Sequence, residues 1–138
     1  AADMGAVAQD PNSTLLVIDA GTCITYDLIS SDGVLLGGAI SPGVQLRLNA
    51  MHEHTAQLPL LQAQPHCRLM GDDTPSCMLS AAANGSLFEI EGYIRRLGRQ
   101  YPDLHVFITG GNHFDLPADL PCPVTFDSNL LFKGLAAL

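Results

Sequence analysis

The stretch Leu15-Leu16-Val17-Ile18-Asp19-Ala20-Gly21-Thr22-Cys23-Ile24-Thr25-Tyr26-Asp27 limits the possible folds of this chain more than any other. It reads as strand, tight turn, strand. Residues 15–18 are an unbroken apolar run, as expected of a strand buried on both faces. Gly21 permits a backbone geometry that a Cβ resists. The second run alternates, with Ile24, Tyr26 and Leu28 on one face and Cys23, Thr25 and Asp27 on the other. A turn built from Gly and Thr can aim backbone N–H groups and a hydroxyl at an anion. Asp19 stands at the lip of that turn, where its carboxylate would repel a phosphate unless a cation lay between them. The alternative is an ordinary hairpin with a polar tip, since short glycine motifs recur in unrelated loops.

The remaining sequence supplies the partners of that hairpin. Residues 1–9 are helix-compatible and read as the tail of a helix, and Asp10-Pro11-Asn12-Ser13 as a turn. Ser31-Asp32-Gly33 is a hairpin signal, and 34–40 (VLLGGAI) a third strand, so that three strands form an antiparallel meander. Ser41 is expected to cap a helix with Pro42 in its first turn, Val44, Leu48 and Met51 on one face, and an end near Thr55. Residues 60–73 lack a period and read as a loop. A second, longer helix is expected to start with Thr74 as cap and Pro75 at the first helical position. Its apolar stripe is Leu79, Ala83, Leu87, Ile90, Ile94 and Leu97. Gly85 and Gly92 cost about 1 kcal/mol each relative to Ala inside a helix, so close packing against a neighbour, a second subunit included, is expected there. Arg95, Arg96 and Arg99 read as a solvated helix end that suits the negative pole of the dipole.

Residues 105–108 form a short strand that runs into Thr109-Gly110-Gly111-Asn112. Ligands of α/β folds gather beyond the carboxyl ends of parallel strands, so this glycine pair suits a nucleotide base or ribose; a plain loop is the alternative. A last strand at 124–126 and a closing helix at 129–138 complete the order.

Composition excludes some functions. The net charge is −8, and the six Lys and Arg residues are scattered, so the basic footprint of direct nucleic-acid binding is missing. No apolar run is long enough to span a membrane. Four cysteines without a C-x-x-C pair fit reduced thiols in a cytoplasmic protein. The chain opens on Ala1 without an initiating Met and is expected to be a piece of something longer.

The meander followed by helix–strand alternation resembles a ribonuclease-H-like half of the actin-like ATPase and sugar-kinase superfamily: an α/β mixed sheet, three antiparallel strands plus parallel ones, with helices on both faces. The motifs Asp19-Ala20-Gly21-Thr22-Cys23-Ile24-Thr25-Tyr26-Asp27, Gly37-Gly38-Ala39-Ile40-Ser41-Pro42-Gly43, Thr55-Ala56-Gln57-Leu58-Pro59, Thr109-Gly110-Gly111 and Asn129-Leu130-Leu131-Phe132-Lys133-Gly134-Leu135 resemble, in order, those of type III pantothenate kinases. The resemblance implies ATP-dependent phosphorylation of pantothenate, the first step of coenzyme A biosynthesis, with Mg²⁺ on the phosphates. It implies that Asp19 holds a monovalent cation, K⁺ or NH₄⁺. It further implies that Gly21 and Thr22 meet the ATP phosphates, that Gly110 and Gly111 border the adenosine, and that Thr74 contacts pantothenate, which competes with its role as a cap. The family's homodimers pack through this half.

The family's first phosphate loop, D-x-G-N-T, and its G-x-D-R segment with the proposed base are missing here. The base is therefore expected upstream of Ala1, no catalytic residue is assigned within 1–138, and the chain reads as a single C-terminal domain that does not turn over alone. The alternatives are another small-molecule kinase of the superfamily, a non-catalytic regulator, and a metal site at His52, His54, His66 and Cys67, whose ligand spacing is loose for zinc.

Overall fold

Five strands form one sheet: β1 (Leu15–Ala20), β2 (Cys23–Ile29), β3 (Leu35–Pro42), β4 (His105–Thr109) and β5 (Val124–Phe126). The structure is a computed structural model and describes residues 1–137. The strand order is β3-β2-β1-β4-β5. β2 pairs antiparallel with both β1 and β3, whereas β4 pairs parallel with β1 and with β5. This is the ribonuclease-H-like mixed sheet expected from the sequence.

The apolar run of β1 is explained by its central place. Leu16 and Ile18 face one layer, in which Ile24, Tyr26, Val106 and Ile108 pack against Ile90 and Ile94 of α3 (Thr74–Gln100). Leu15 and Val17 face the other, with Phe107, Ala6 of α1 (Ala2–Gln9) and Leu130 of α4 (Leu130–Ala136). A third cluster joins Val44 and Leu48 of α2 (Val44–Glu53) to Met78 and Ala82 of α3. Helices thus cover both faces. Position 138, the end of the expected closing helix, lies outside the described residues.

The local expectations fail at several points, each for a physical reason. β3 continues through Ser41 and Pro42, and Gly43, with no side-chain cap, precedes α2. Pro42 is tolerated because β3 is an edge strand, where a missing N–H costs no ladder bond; α2 ends at Glu53, short of Thr55. Asp73, not Thr74, caps α3: its carboxylate accepts from Ser76 N at 2.8 Å, and Ser76 Oγ accepts from Asp73 N at 3.1 Å. A carboxylate and a hydroxyl three residues apart close this capping box, and Thr74 becomes the first helical residue.

The buried stripe in the first half of α3 is Met78, Ala82 and Ser86, one residue ahead of the expected Leu79, Ala83 and Leu87, which are half-buried. Both stripes are apolar or small, and the contact with α2 selects between them. A Cβ on Gly92 would meet nothing within 4 Å, so packing inside this chain does not explain that glycine. Arg95 pairs with Glu91 at 3.0 Å and Asp119 at 2.9 Å, whereas Arg96 and Arg99 are exposed.

Candidate functional site

The Gly21-Thr22 turn joins β1 to β2 at the end of the sheet where β1 and β4 both terminate, so it stands at the carboxyl ends of parallel strands. Gly21 N–H donates to the Cys23 carbonyl at 3.0 Å, and Thr22 is exposed. Two further segments grip the turn. On one side Gly43 N–H donates to the Thr22 carbonyl at 2.8 Å. A Cβ on Gly43 would run into the Gly21 carbonyl oxygen and reach 2.6 Å from that of Thr22. On the other side Asn112 donates twice, from its backbone N–H to the Ala20 carbonyl and from Nδ2 to the Gly21 carbonyl, each at 3.0 Å. Gly110 allows this approach: its φ is +107°, and a Cβ there would lie 2.5 to 2.7 Å from the Ala20 backbone.

Beside the turn the sheet carries a depression on each face. Strand alternation puts Asp19 on the α1 and α4 face, where it lines a cleft of about 210 Å³ with Asp3, Thr25 and Asp27. Asp19 is half-buried, and the exposed residues Ala1 and Leu131 flank the same cleft. Burial, and then the hydrogen bond and charge of Asp27, push the Asp3 carboxyl up to about 6. Among the described residues no three His, Cys, Asp or Glu side chains are arranged to hold a metal ion. His52 instead bonds through Nδ1 to the Leu58 carbonyl at 2.7 Å, and His66 lies 3.6 Å from Asp115.

On the opposite face a cleft of about 410 Å³ lies between α3, at Asn84 and Leu87, and the loop carrying Gly111, Asn112 and Phe114. Gly111 is exposed at its wall. Thr74 stands apart from both depressions. It is exposed at the start of α3, nine residues before Ala83 and therefore about 14 Å along the axis from the larger cleft.

Behind the Pro42-Gly43 corner, Glu89 of α3 gathers three donors on one oxygen. Tyr26 Oη approaches Oε2 at 2.8 Å, Ser41 Oγ at 2.7 Å and Arg47 Nη2 at 3.2 Å. Arg47 Nε also donates to the Pro42 carbonyl at 2.9 Å. The Tyr26 ring is buried and lies 4.3 Å from that of Tyr93; burial first, and then Glu89, push its hydroxyl pKa well above the usual tyrosine value. Sequence reasoning leaves Glu89, Arg47 and Asn112 without a role. Only Asn112, next to the glycine pair, carries a local signal.

The sequence profile of the type III pantothenate kinases matches residues 1–96, which include Asp19, Gly21, Thr22, Thr74 and Glu89. The chain belongs to the type III pantothenate kinase family. Type III pantothenate kinases of Christiangramia forsetii and Bacteroides fragilis are 44% and 43% identical to it, covering 94% and 98% of this chain but 54% and 56% of their own lengths. The chain spans about half the length of the curated relatives it matches. A crystal structure of a conserved Campylobacter jejuni protein, described as a Baf family transcriptional activator, superposes with a TM-score of 0.59 at 22% identity, over 96% of this chain and 59% of that one. At that identity the likeness shows the fold alone. Gly110 and Gly111 lie beyond the stretch matched by the type III pantothenate kinase profile, but both fall in the loop that closes on the turn.

Proposed function

We propose that this chain is the C-terminal, ribonuclease-H-like domain of an ATP-dependent pantothenate kinase acting in coenzyme A biosynthesis in the cytoplasm. One observation carries the reading: in a chain of this family, the Gly21-Thr22 turn is clasped between Gly43 and Asn112 at the carboxyl ends of β1 and β4. The turn presents the exposed Thr22 hydroxyl to the ATP phosphates, and Gly21, whose own N–H is held by the Cys23 carbonyl, keeps the approach free of a side chain. The larger cleft beside Gly110 and Gly111 receives the adenosine. Asp19, half-buried among carboxylates in a polar cleft, fits a monovalent cation, K⁺ or NH₄⁺. Mg²⁺ is held chiefly by the phosphates, as the family resemblance implies. These cations supply neutralisation of phosphate charge; the chain supplies orientation.

Thr74 contacts pantothenate from the start of α3. The base for the pantothenate hydroxyl belongs to the segment before Ala1, as the family pattern implies. The intact enzyme is a homodimer. Its α3 presents Phe88, Gly92 and Tyr93 outward, and a Cβ on Gly92 would meet open space. Among the described residues no helix is long and apolar enough to cross a membrane.

The test is phosphopantothenate formation from ATP, Mg²⁺, K⁺ and pantothenate. The full-length protein is expected to turn over and residues 1–138 alone are not. Robust turnover by the isolated chain overturns the division of the site, and an inert full-length protein overturns the activity.

A further inference from the structure

We infer that Glu89 is a positioning residue for the phosphate turn, acting through the Ser41-Pro42-Gly43 corner; the inference rests on the kinase reading above. Glu89 touches neither cleft. Its Oε2 nevertheless ties together β2 through Tyr26, β3 through Ser41 and α2 through Arg47, at 2.8, 2.7 and 3.2 Å. Arg47 extends the tie by donating Nε to the Pro42 carbonyl, one residue before Gly43. Gly43 in turn donates to Thr22 and sits too close to Gly21 for any side chain. A displacement of the corner is therefore passed to the turn by a hydrogen bond and by backbone contact.

The chemistry of the network favours positioning over bulk stability. One carboxylate oxygen accepts from two hydroxyls and a guanidinium, so all three donors are charge-assisted, a class that holds geometry more stiffly than neutral pairs. The Glu89 and Arg47 side chains are only 26% and 23% exposed, so breaking the pair also costs stability, and the positional effect is read separately from it in the ATP KM of folded molecules. What it fixes is the place where β3 ends and α2 begins.

The test is run in the full-length protein with a fluorescent ATP analogue, Mg²⁺ and K⁺, followed by steady-state kinetics. Glu89→Gln is expected to weaken nucleotide binding and raise the KM for ATP by about tenfold, the scale of one charge-assisted bond. The KM for pantothenate is expected to stay within about twofold, because the corner acts on the phosphate side alone. A residue that only braced the core would lower the melting temperature and the active fraction while leaving the ATP KM of folded molecules unchanged, and that result overturns the inference. Ser41→Ala, which removes one hydroxyl, is expected to raise the ATP KM by a smaller factor. It decides the matter if Glu89→Gln does not fold, with an unchanged ATP KM again overturning the inference. A wild-type protein that binds no nucleotide overturns the kinase reading and this inference with it. Wild-type binding with unaltered variants overturns the inference alone.

Discussion

Gly43 donates its N–H to the Thr22 carbonyl at 2.8 Å, across a gap that leaves no room for a side chain. Gly43 has φ −70° and ψ 176°, a conformation open to any residue. Glycine is needed here for approach, not for dihedral freedom. The turn between β1 and β2 therefore owes its shape to a residue twenty-one positions after Thr22, at the start of a helix.

Gly43→Ala should accordingly act through crowding. The new methyl group meets backbone carbonyls of Gly21 and Thr22, which cannot rotate away as a side chain would. Overpacking of this kind costs about 1–3 kcal/mol. Urea unfolding is expected to show that loss, and nucleotide titration of the full-length protein a still larger relative loss of ATP affinity, because the displaced atoms belong to the turn itself. Unchanged ATP binding in a folded variant would contradict the placement of the phosphates.

Asn112 closes the turn from the other side, and charge separates its two informative variants. Asn112→Ala removes the Nδ2 bond to the Gly21 carbonyl but keeps the backbone bond to Ala20, for a cost of about 0.5–1.5 kcal/mol. Asn112→Asp replaces that donor with a carboxylate facing a carbonyl oxygen and the side of the turn proposed for the phosphates. Asp should therefore impair ATP binding more than Ala does, and the gap should narrow as salt is raised. Equal binding by the two variants would show that the loop does not meet the phosphates.

The sheet was legible in the sequence because three signals agreed: the apolar run 15–18, the alternation of 23–28 and the Ser31-Asp32-Gly33 turn. The strands they mark are the ones found. The phase of α3 was less legible, because Met78 and Leu79, or Ala82 and Ala83, are interchangeable to a periodicity count. Only the packing of α2 decides between them. The cap was misplaced for a similar reason: Asp73 and Thr74 are both good caps, and the Ser76 hydroxyl decides in favour of Asp73. The Glu89 network left no trace at all. Its members Tyr26, Ser41 and Arg47 lie 63, 48 and 42 positions from Glu89, and no spacing rule joins them before the sheet exists.

A tie at the other end of the sheet predicts acid sensitivity. Asp10, just after α1, meets His105 Nδ1 at 2.9 Å, and His105 Nε2 meets Thr125 Oγ1 at 2.7 Å. The hydrogen bond from His105, followed by that from Ser13, holds the Asp10 carboxyl below its usual value. A depressed folded pKa stabilises fully above the unfolded value, about 3.9, and that stabilisation is lost as pH falls through the folded value. Wild type should thus exceed Asp10→Asn in stability at pH 6, with the difference vanishing in strong acid. Denaturant melts at descending pH would show this, and a difference independent of pH would refute it.

Asp3 predicts the opposite trend, and with it a readout of the Asp19 cleft. Burial and Asp27 raise its carboxyl from 3.8 to about 6. A raised folded pKa gives a stabilisation that is complete below the unfolded value, about 3.9, and is lost as pH rises through about 6. Asp3→Asn should therefore match wild type near pH 3.5 and surpass it at pH 7.5, where the native chain must ionise a crowded carboxyl. A K⁺ ion beside Asp19 would ease that ionisation and draw the Asp3 pKa back down. The advantage of Asp3→Asn at pH 7.5 should then be smaller in potassium chloride than in tetramethylammonium chloride at equal ionic strength. If the two salts give the same difference, Asp19 does not hold the cation in this cleft.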